Sequence, residues 1–179
     1  MMTHIKIPQD RIGAIIGPKG NIKKLIEEKS CAKIEIDSKN GTVELKSEKD
    51  PLLSMRAHDV IRAIARGFNP EKAMELFDDD LLMLDVIDIS RSANTQKDLM
   101  RLKGRIIGKG GIMRENIENT LNTKISIYGK TVSAIGHIEE IQIVRTAIDM
   151  LINGAVHGSV YDFLEKKKRK LMEAELRLF

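Results

Sequence analysis

The chain reads as an α+β protein made of two tandem copies of one unit, each a three-stranded antiparallel sheet covered on one face by helices, with a C-terminal helix after them. Three observations predict this. A segment recurs at fixed spacing, the same order of elements surrounds each copy, and apolar residues alternate on the short runs but form single stripes on the long ones. Gly13-Ala-Ile-Ile-Gly-Pro-Lys-Gly20 pairs with Gly104-Arg-Ile-Ile-Gly-Lys-Gly-Gly111 at an offset of 91, and ten of the 24 positions from 13 to 36 are identical. Chance pairing at ordinary composition gives about one or two.

Each unit opens on a short apolar strand, Ile5-Lys6-Ile7 in the first copy and Leu84 to Ile89 in the second. A helix, the glycine turn and a second helix follow. The next strand ends at Ile36 or Ile127, and after a turn (Ser38 to Gly41, or Gly129-Lys130) come Thr42 to Leu45 or Thr131 to Ile135. The last helix of the first unit is opened by Asp50-Pro51 and carries Leu53, Ala57, Val60, Ile61 and Ile64 on one side. Its counterpart carries Ile138, Ile141, Val144, Ile148 and Leu151. From Ile89 to Gly108 is nineteen residues, against ten from Ile7 to Gly17, so the second unit has a longer loop or first helix around Ser90 to Leu99. Gly67 to Pro70 ends the first unit's last helix, a short amphipathic helix spans Glu71 to Phe77, and Asp78-Asp79-Asp80 marks the boundary. The expected segments are 1–79, 80–153 and a basic C-terminal helix in 154–179.

Composition narrows the function. Among 179 residues, 3% are aromatic and Trp is absent, which disfavours surfaces that stack bases on rings. The net charge of +4 permits an anionic partner. A single cysteine, Cys31, forms no internal disulfide and is expected to be buried filler. No Cys/His cluster has zinc spacing, and no metal or cofactor is expected. The charged N-terminus argues against a signal peptide and no apolar run is long enough to span a bilayer, so no membrane partner and a cytoplasmic location are expected. No histidine stands at a recognisable spacing from a nucleophile, which argues against an enzyme.

The chemistry lies in Ile-Ile-Gly-x-x-Gly between two helices. Glycine lets the backbone take left-handed dihedrals and lets a ligand approach closely. The unpaired amides and positive dipole end of the second helix then face a phosphodiester. Lys19 and Lys109 add charge there, and Ile15, Ile16, Ile106 and Ile107 are either core or the apolar floor beneath a base. The strands Lys33 to Ile36 and Lys124 to Ile127 offer an edge to base groups. Other glycine motifs fail on spacing. Gly104 to Gly108 encloses three residues where a Walker loop needs four, and Ile15 stands where a dinucleotide fingerprint needs glycine.

This pattern, present twice, resembles the eukaryotic-type (type I) KH domain, whose Gly-x-x-Gly loop clamps single-stranded nucleic acid. Ala65 to Ala73, Gly104 to Gly111, Ile127 to Val132 and Gly154 to Glu165 are further similar to the two-KH family of small-ribosomal-subunit assembly factors, the partner-of-Nob group. The resemblance implies binding to the 3′ end region of small-subunit rRNA, action beside the Nob endonuclease, and association with the alpha subunit of translation initiation factor two. The intact Gly17-Pro18-Lys19-Gly20 and the lack of an N-terminal extension imply an archaeal member.

Charge chooses between the copies. Residues 97–130 hold eight cations and three acids, residues 6–39 eight and five, and Pro18 removes one amide from the first turn. The second copy is the expected RNA site, through Arg105, Ile106, Ile107, Gly108, Lys109, Gly110, Gly111, Arg114 and Lys124. Ile15, Ile16, Gly17, Pro18, Lys19 and Gly20 form the first, which serves either RNA or a protein. Tyr128 either stacks a base or packs. Lys166 to Lys170, on a helix whose apolar side is Val160, Phe163, Leu164, Leu171, Met172 and Leu178, are either a solvated face or a further phosphate contact. The alternatives to an rRNA-binding assembly factor are a KH regulator of mRNA and a protein scaffold with vestigial loops.

Overall fold

The computed structural model describes residues 2–47 and 49–178. It divides into two compact units between Leu84 and Asp85. The first holds β1 (Met2–Lys6), α1 (Gln9–Ile16), α2 (Asn21–Ser30), β2 (Lys33–Asp37), β3 (Thr42–Lys46), α3 (Pro51–Ala65) and α4 (Pro70–Asp78). The boundary falls within β4 (Met83–Asp88), which belongs to the second sheet, and the second unit goes on to α5 (Gln96–Ile107), α6 (Ile112–Leu121), β5 (Lys124–Tyr128), β6 (Thr131–Gly136), α7 (Ile138–Ile152) and α8 (His157–Arg177). The sheets are antiparallel, ordered β1-β3-β2 and β4-β6-β5.

The repeat builds equivalent cores. Ile15, Ile26 and Ile34 are fully buried, as are Ile106 and Ile117, with Ile125 at 5% exposure. Val43 and Val132 on the central strands are fully buried as well, and Val132 shares one core cluster with Ile106, Ile117 and Ile125. Ile36 pairs with Val43 in the first hairpin and Ile127 with Val132 in the second, so the matching register comes from the same alternation. Local chemistry sets the ends. Asp50 accepts the amides of Leu52 and Leu53 to cap α3, with Pro51 at its first position. Asn69 caps α4 and Thr95 caps α5 in the same way.

The longer connection in the second unit resolves into two parts. Ser90–Ser92 form a 3-10 turn whose start is fixed by Asp88 accepting the Ser90 amide at 2.8 Å, and α5 then runs for 12 residues against 8 in α1.

Two expectations need correction. Cys31 is exposed, not buried filler. It ends α2 at φ 51°, and its repeat partner Asn122 ends α6 at φ 50°, so the position is a left-handed helix stop. The apolar side of α8 is buried at Val160 and Leu164, whereas Met172 and Leu178 are 53% and 83% exposed. No helix among the described residues is long and apolar enough to cross a membrane.

Candidate nucleic-acid interface

The two glycine turns adopt one backbone geometry. Gly17 lies at φ 71°, ψ 174° and Gly108 at φ 75°, ψ 170°. Gly20 and Gly111 follow in left-handed conformations at φ 76° and 82°, as the residues preceding α2 and α6. In each copy the first glycine amide closes the preceding helix, from Gly17 to the Gly13 carbonyl at 2.9 Å and from Gly108 to the Gly104 carbonyl at 2.9 Å. Space also demands glycine at the first position: a Cβ on Gly108 would stand 2.8 Å from the Met113 Cβ and amide nitrogen. The third position differs. Gly110 takes φ 62°, and the first copy forces Lys19 into the same region at φ 53°.

Lys109 is exposed at the turn. Arg114 folds back towards it: its Nη2 lies 3.7 Å from where a Cβ on Gly111 would stand, and Glu115 Oε1 lies 3.8 Å away on the same side. Arg114 also donates from Nη1 to Glu118 at 3.0 Å. The turn thus carries Lys109 and an Arg114 that is oriented by two acids.

Ile106 and Ile15 belong to the core, with no exposed surface, so they are not groove floor. Ile107 and Ile16, one position on and next to the turn in sequence, are half-buried. Of each isoleucine pair, only the second is available to a ligand.

Arg105 corrects another expectation. It donates from Nε to the Leu151 carbonyl at 3.0 Å and from Nη2 to the Ala155 carbonyl. Its guanidinium therefore ties the end of α5 to the last turn of α7 and the approach to α8, instead of facing a phosphate. Arg11 does the same in the first unit, donating to the carbonyls of Ile64 and Phe68 at 2.8 Å each. Arg11 aligns with Leu102, not with Arg105, so the repeat offset conceals a shared staple shifted by about one helical turn.

The facing wall is an edge strand. β2 and β5 each have one neighbour in their sheet. The amide of Ile34 donates to Glu27 Oε1, and that of Ile125 to Glu118 Oε1, both at 2.8 Å. These amides point away from β3 and β6, and pleat parity sends the main-chain groups of Ile36 and Ile127 the same way. Glu27 and Glu118 were legible only as an identical pair in the repeat; their work is to join the helix after the glycine turn to the strand opposite. Lys124, half-buried, begins β5.

The two edges differ in charge. β2 carries Glu35 and Asp37 where β5 carries Ser126 and Tyr128. A hydrogen bond from Lys46, reinforced by its charge, holds Glu35 below the usual carboxylate range. Hydrogen bonds from the Asn40 side chain and backbone do so for Asp37. Glu35, Asp37 and Glu44 also line a shallow groove of about 390 Å³ on the first sheet. Among the described residues no group of three or more His, Cys, Asp or Glu side chains is placed to hold a metal.

Comparison with known proteins agrees with this geometry. Residues 83–169 match the eukaryotic-type KH domain (KH domain type I) represented by the second domain of PNO1, and residues 2–57 match the general KH domain. The KH domain-containing protein MJ0443 of Methanocaldococcus jannaschii is 45% identical over 98% of this chain and 78% of its own length. The pre-rRNA-processing protein pno1 of Schizosaccharomyces pombe is 29% identical over 96% of this chain and 73% of its own. The crystal structure of Dim2p from Pyrococcus horikoshii superposes with a TM-score of 0.87 at 42% identity, covering 93% of this chain and 99% of that one. A chain in the a/eIF2α–aDim2p–rRNA complex of the same organism gives 0.89 at 42% identity, covering 95% of each. With its paired glycine turns and two KH matches, the chain belongs to the two-KH-domain family that includes Dim2p and Pno1.

Proposed function

We propose that the protein is a single-stranded RNA-binding factor of small-ribosomal-subunit assembly, holding the 3′ end region of small-subunit rRNA on its second KH domain. The observation that carries this reading is the turn Gly108-Lys109-Gly110-Gly111. It ends in a left-handed glycine before α6, has Lys109 exposed and Arg114 folded over it, and faces an edge strand free of acids. Amides at the start of a helix favour a phosphate, and the open strand edge beside Ile127 supplies donors and acceptors for a base. The residues assigned to RNA are Ile107, Gly108, Lys109, Gly110, Gly111, Arg114 and Lys124. The family supports the substrate: relatives are named RNA-binding and pre-rRNA-processing proteins, and one structural neighbour lies in a complex with rRNA and a/eIF2α.

The first domain is weaker for RNA. Pro18 replaces the amide that Lys109 offers, Glu35 engages Lys46 and Lys33 at the β2 edge, and Asp37 sets an ionised carboxylate at its end where β5 has Tyr128. Ile16, Gly17, Pro18, Lys19 and Gly20 form an auxiliary contact, and this domain is assigned to protein partners. The alpha subunit of the initiation factor is our first candidate for such a partner, and a structural neighbour in a complex with a/eIF2α and rRNA supports it. The Nob endonuclease is the second, on the strength of the family resemblance. The protein itself performs no chemistry in this scheme; it presents a strand in one conformation to those that do. Crosslinking in cells tests the reading: reads concentrated at the small-subunit rRNA 3′ end are expected, and reads dispersed over mRNA would overturn it.

A further inference from the structure

Five consecutive cations, Lys166, Lys167, Lys168, Arg169 and Lys170, lie on α8. Together they exceed the chain's net charge of +4, so the remainder of the molecule is slightly acidic. Steps of about 100° per residue spread them over the whole circumference of the helix. Among the described residues none of the five has a carboxylate within 4.0 Å. Some cations elsewhere are matched by an acid, as Arg145 is by Asp85, Lys29 by Asp78 and Lys46 by Glu35, each at 2.7 Å.

The run is held on a fixed arm. Val160 and Leu164 are fully buried in the second core, and Arg105 grips the Ala155 carbonyl just before the helix begins. Nine residues of helix, about 14 Å, separate His157 from Lys166. There α8 and α7 enclose a groove of about 430 Å³, with Lys167 and Lys170 on one wall and Gln142 and Thr146 on the other. Glu139 stands at the same groove. The Lys167 ammonium lies 5.7 Å from the centroid of the Phe163 ring, the groove's one aromatic lining residue. With one ring a base has little to stack on, whereas a phosphate finds ammonium groups without a carboxylate partner, with Gln142 and Thr146 as hydrogen-bonding neighbours and Glu139 as the acid it must avoid.

We infer that the basic run of α8 and the α7–α8 groove are a second phosphate-binding surface. It engages single-stranded RNA beyond the nucleotides clamped by the glycine turn, through backbone charge and without reading bases. The inference rests on the proposed RNA site and extends it. A KH loop clamps four nucleotides, so the surface matters for longer strands alone.

The test uses the full chain and labelled single-stranded RNAs of about 6 and about 18 nucleotides from the small-subunit rRNA 3′ end, chosen against that four-nucleotide clamp. In Lys167→Ala/Lys168→Ala/Lys170→Ala, affinity for the long RNA should fall about tenfold, and its log–log salt slope should become shallower by about two. Affinity for the short RNA should not change. The matching Lys→Arg variant should retain both affinities. An α8 triple-alanine variant that binds the long RNA like the parent would overturn the inference and leave an acidic protein as the occupant of this surface. The proposed clamp fails separately: Lys109→Asp/Gly110→Asp would then leave binding of the short RNA intact.

Discussion

Glu118 accepts the main-chain amide of Ile125 at 2.8 Å, and Glu27 accepts that of Ile34 at the same distance. In both units this bond joins the helix that leaves the glycine turn to the strand that faces it. It fixes the helix and the strand to each other at that point. Glu118 also anchors Arg114 at 3.0 Å, so one carboxylate positions both walls. Glu118→Ala leaves the Ile125 amide without its acceptor and should cost about 1–3 kcal/mol. Glu118→Gln keeps an acceptor and should recover part of that loss, as urea denaturation of both variants would show.

Arg105 separates structure from binding. Arg105→Ala removes two charge-assisted hydrogen bonds to the Leu151 and Ala155 carbonyls and should lower stability by about 2 kcal/mol. RNA affinity of the folded variant should stay close to that of the parent. A large affinity loss without a stability loss would return Arg105 to the phosphate site.

The glycine turn makes opposite demands at neighbouring positions. Gly108→Ala drives a Cβ to 2.8 Å from Met113 and should destabilise the second domain and displace the turn. Gly110→Ala meets no atom within 4 Å and carries only the left-handed backbone cost, about 1 kcal/mol. Lys19→Gly, the reverse change in the first copy, should relieve a similar strain and raise the melting temperature.

Two turns give the stability an acid limb. Hydrogen bonds from the Asn40 side chain and backbone depress the Asp37 carboxyl, and those from the Ser90 side chain and backbone depress that of Asp88. A depressed carboxylate stabilises the fold above its unfolded value, and the contribution is lost as pH falls through the folded value. Urea midpoints should therefore hold from neutrality to about pH 5 and drop below about pH 4, near the ordinary Asp range. Asp37→Asn should flatten that drop, because the asparagine cannot titrate.

Much of this architecture is legible in the sequence because it is written locally. The offset of 91 aligns Ile15, Ile26 and Ile34 with Ile106, Ile117 and Ile125, and all six are core. Asp50-Pro51 marks the start of α3 by chemistry that needs no tertiary context. The role of Arg105 is hidden, because a cation beside a glycine turn suggests a phosphate ligand while its partners lie 46 and 50 residues away. The exposure of Cys31 is not evident from its residue type, but its alignment with Asn122, a residue tolerant of left-handed backbone, marks the helix stop that the structure shows. Past Leu171, which still packs against the core, α8 keeps Met172, Leu176 and Leu178 in sequence but exposes them, which periodicity alone does not register.

The most direct measurement is the affinity of the full chain for a single-stranded rRNA 3′-end fragment, before and after Lys109→Asp/Gly110→Asp. Gly110 meets nothing within 4 Å and Lys109 is exposed, so the variant should remain folded, as circular dichroism would verify. Two carboxylates set against the phosphate should weaken binding by about a hundredfold at low salt. A folded variant that grips the RNA as tightly as its parent would contradict the account.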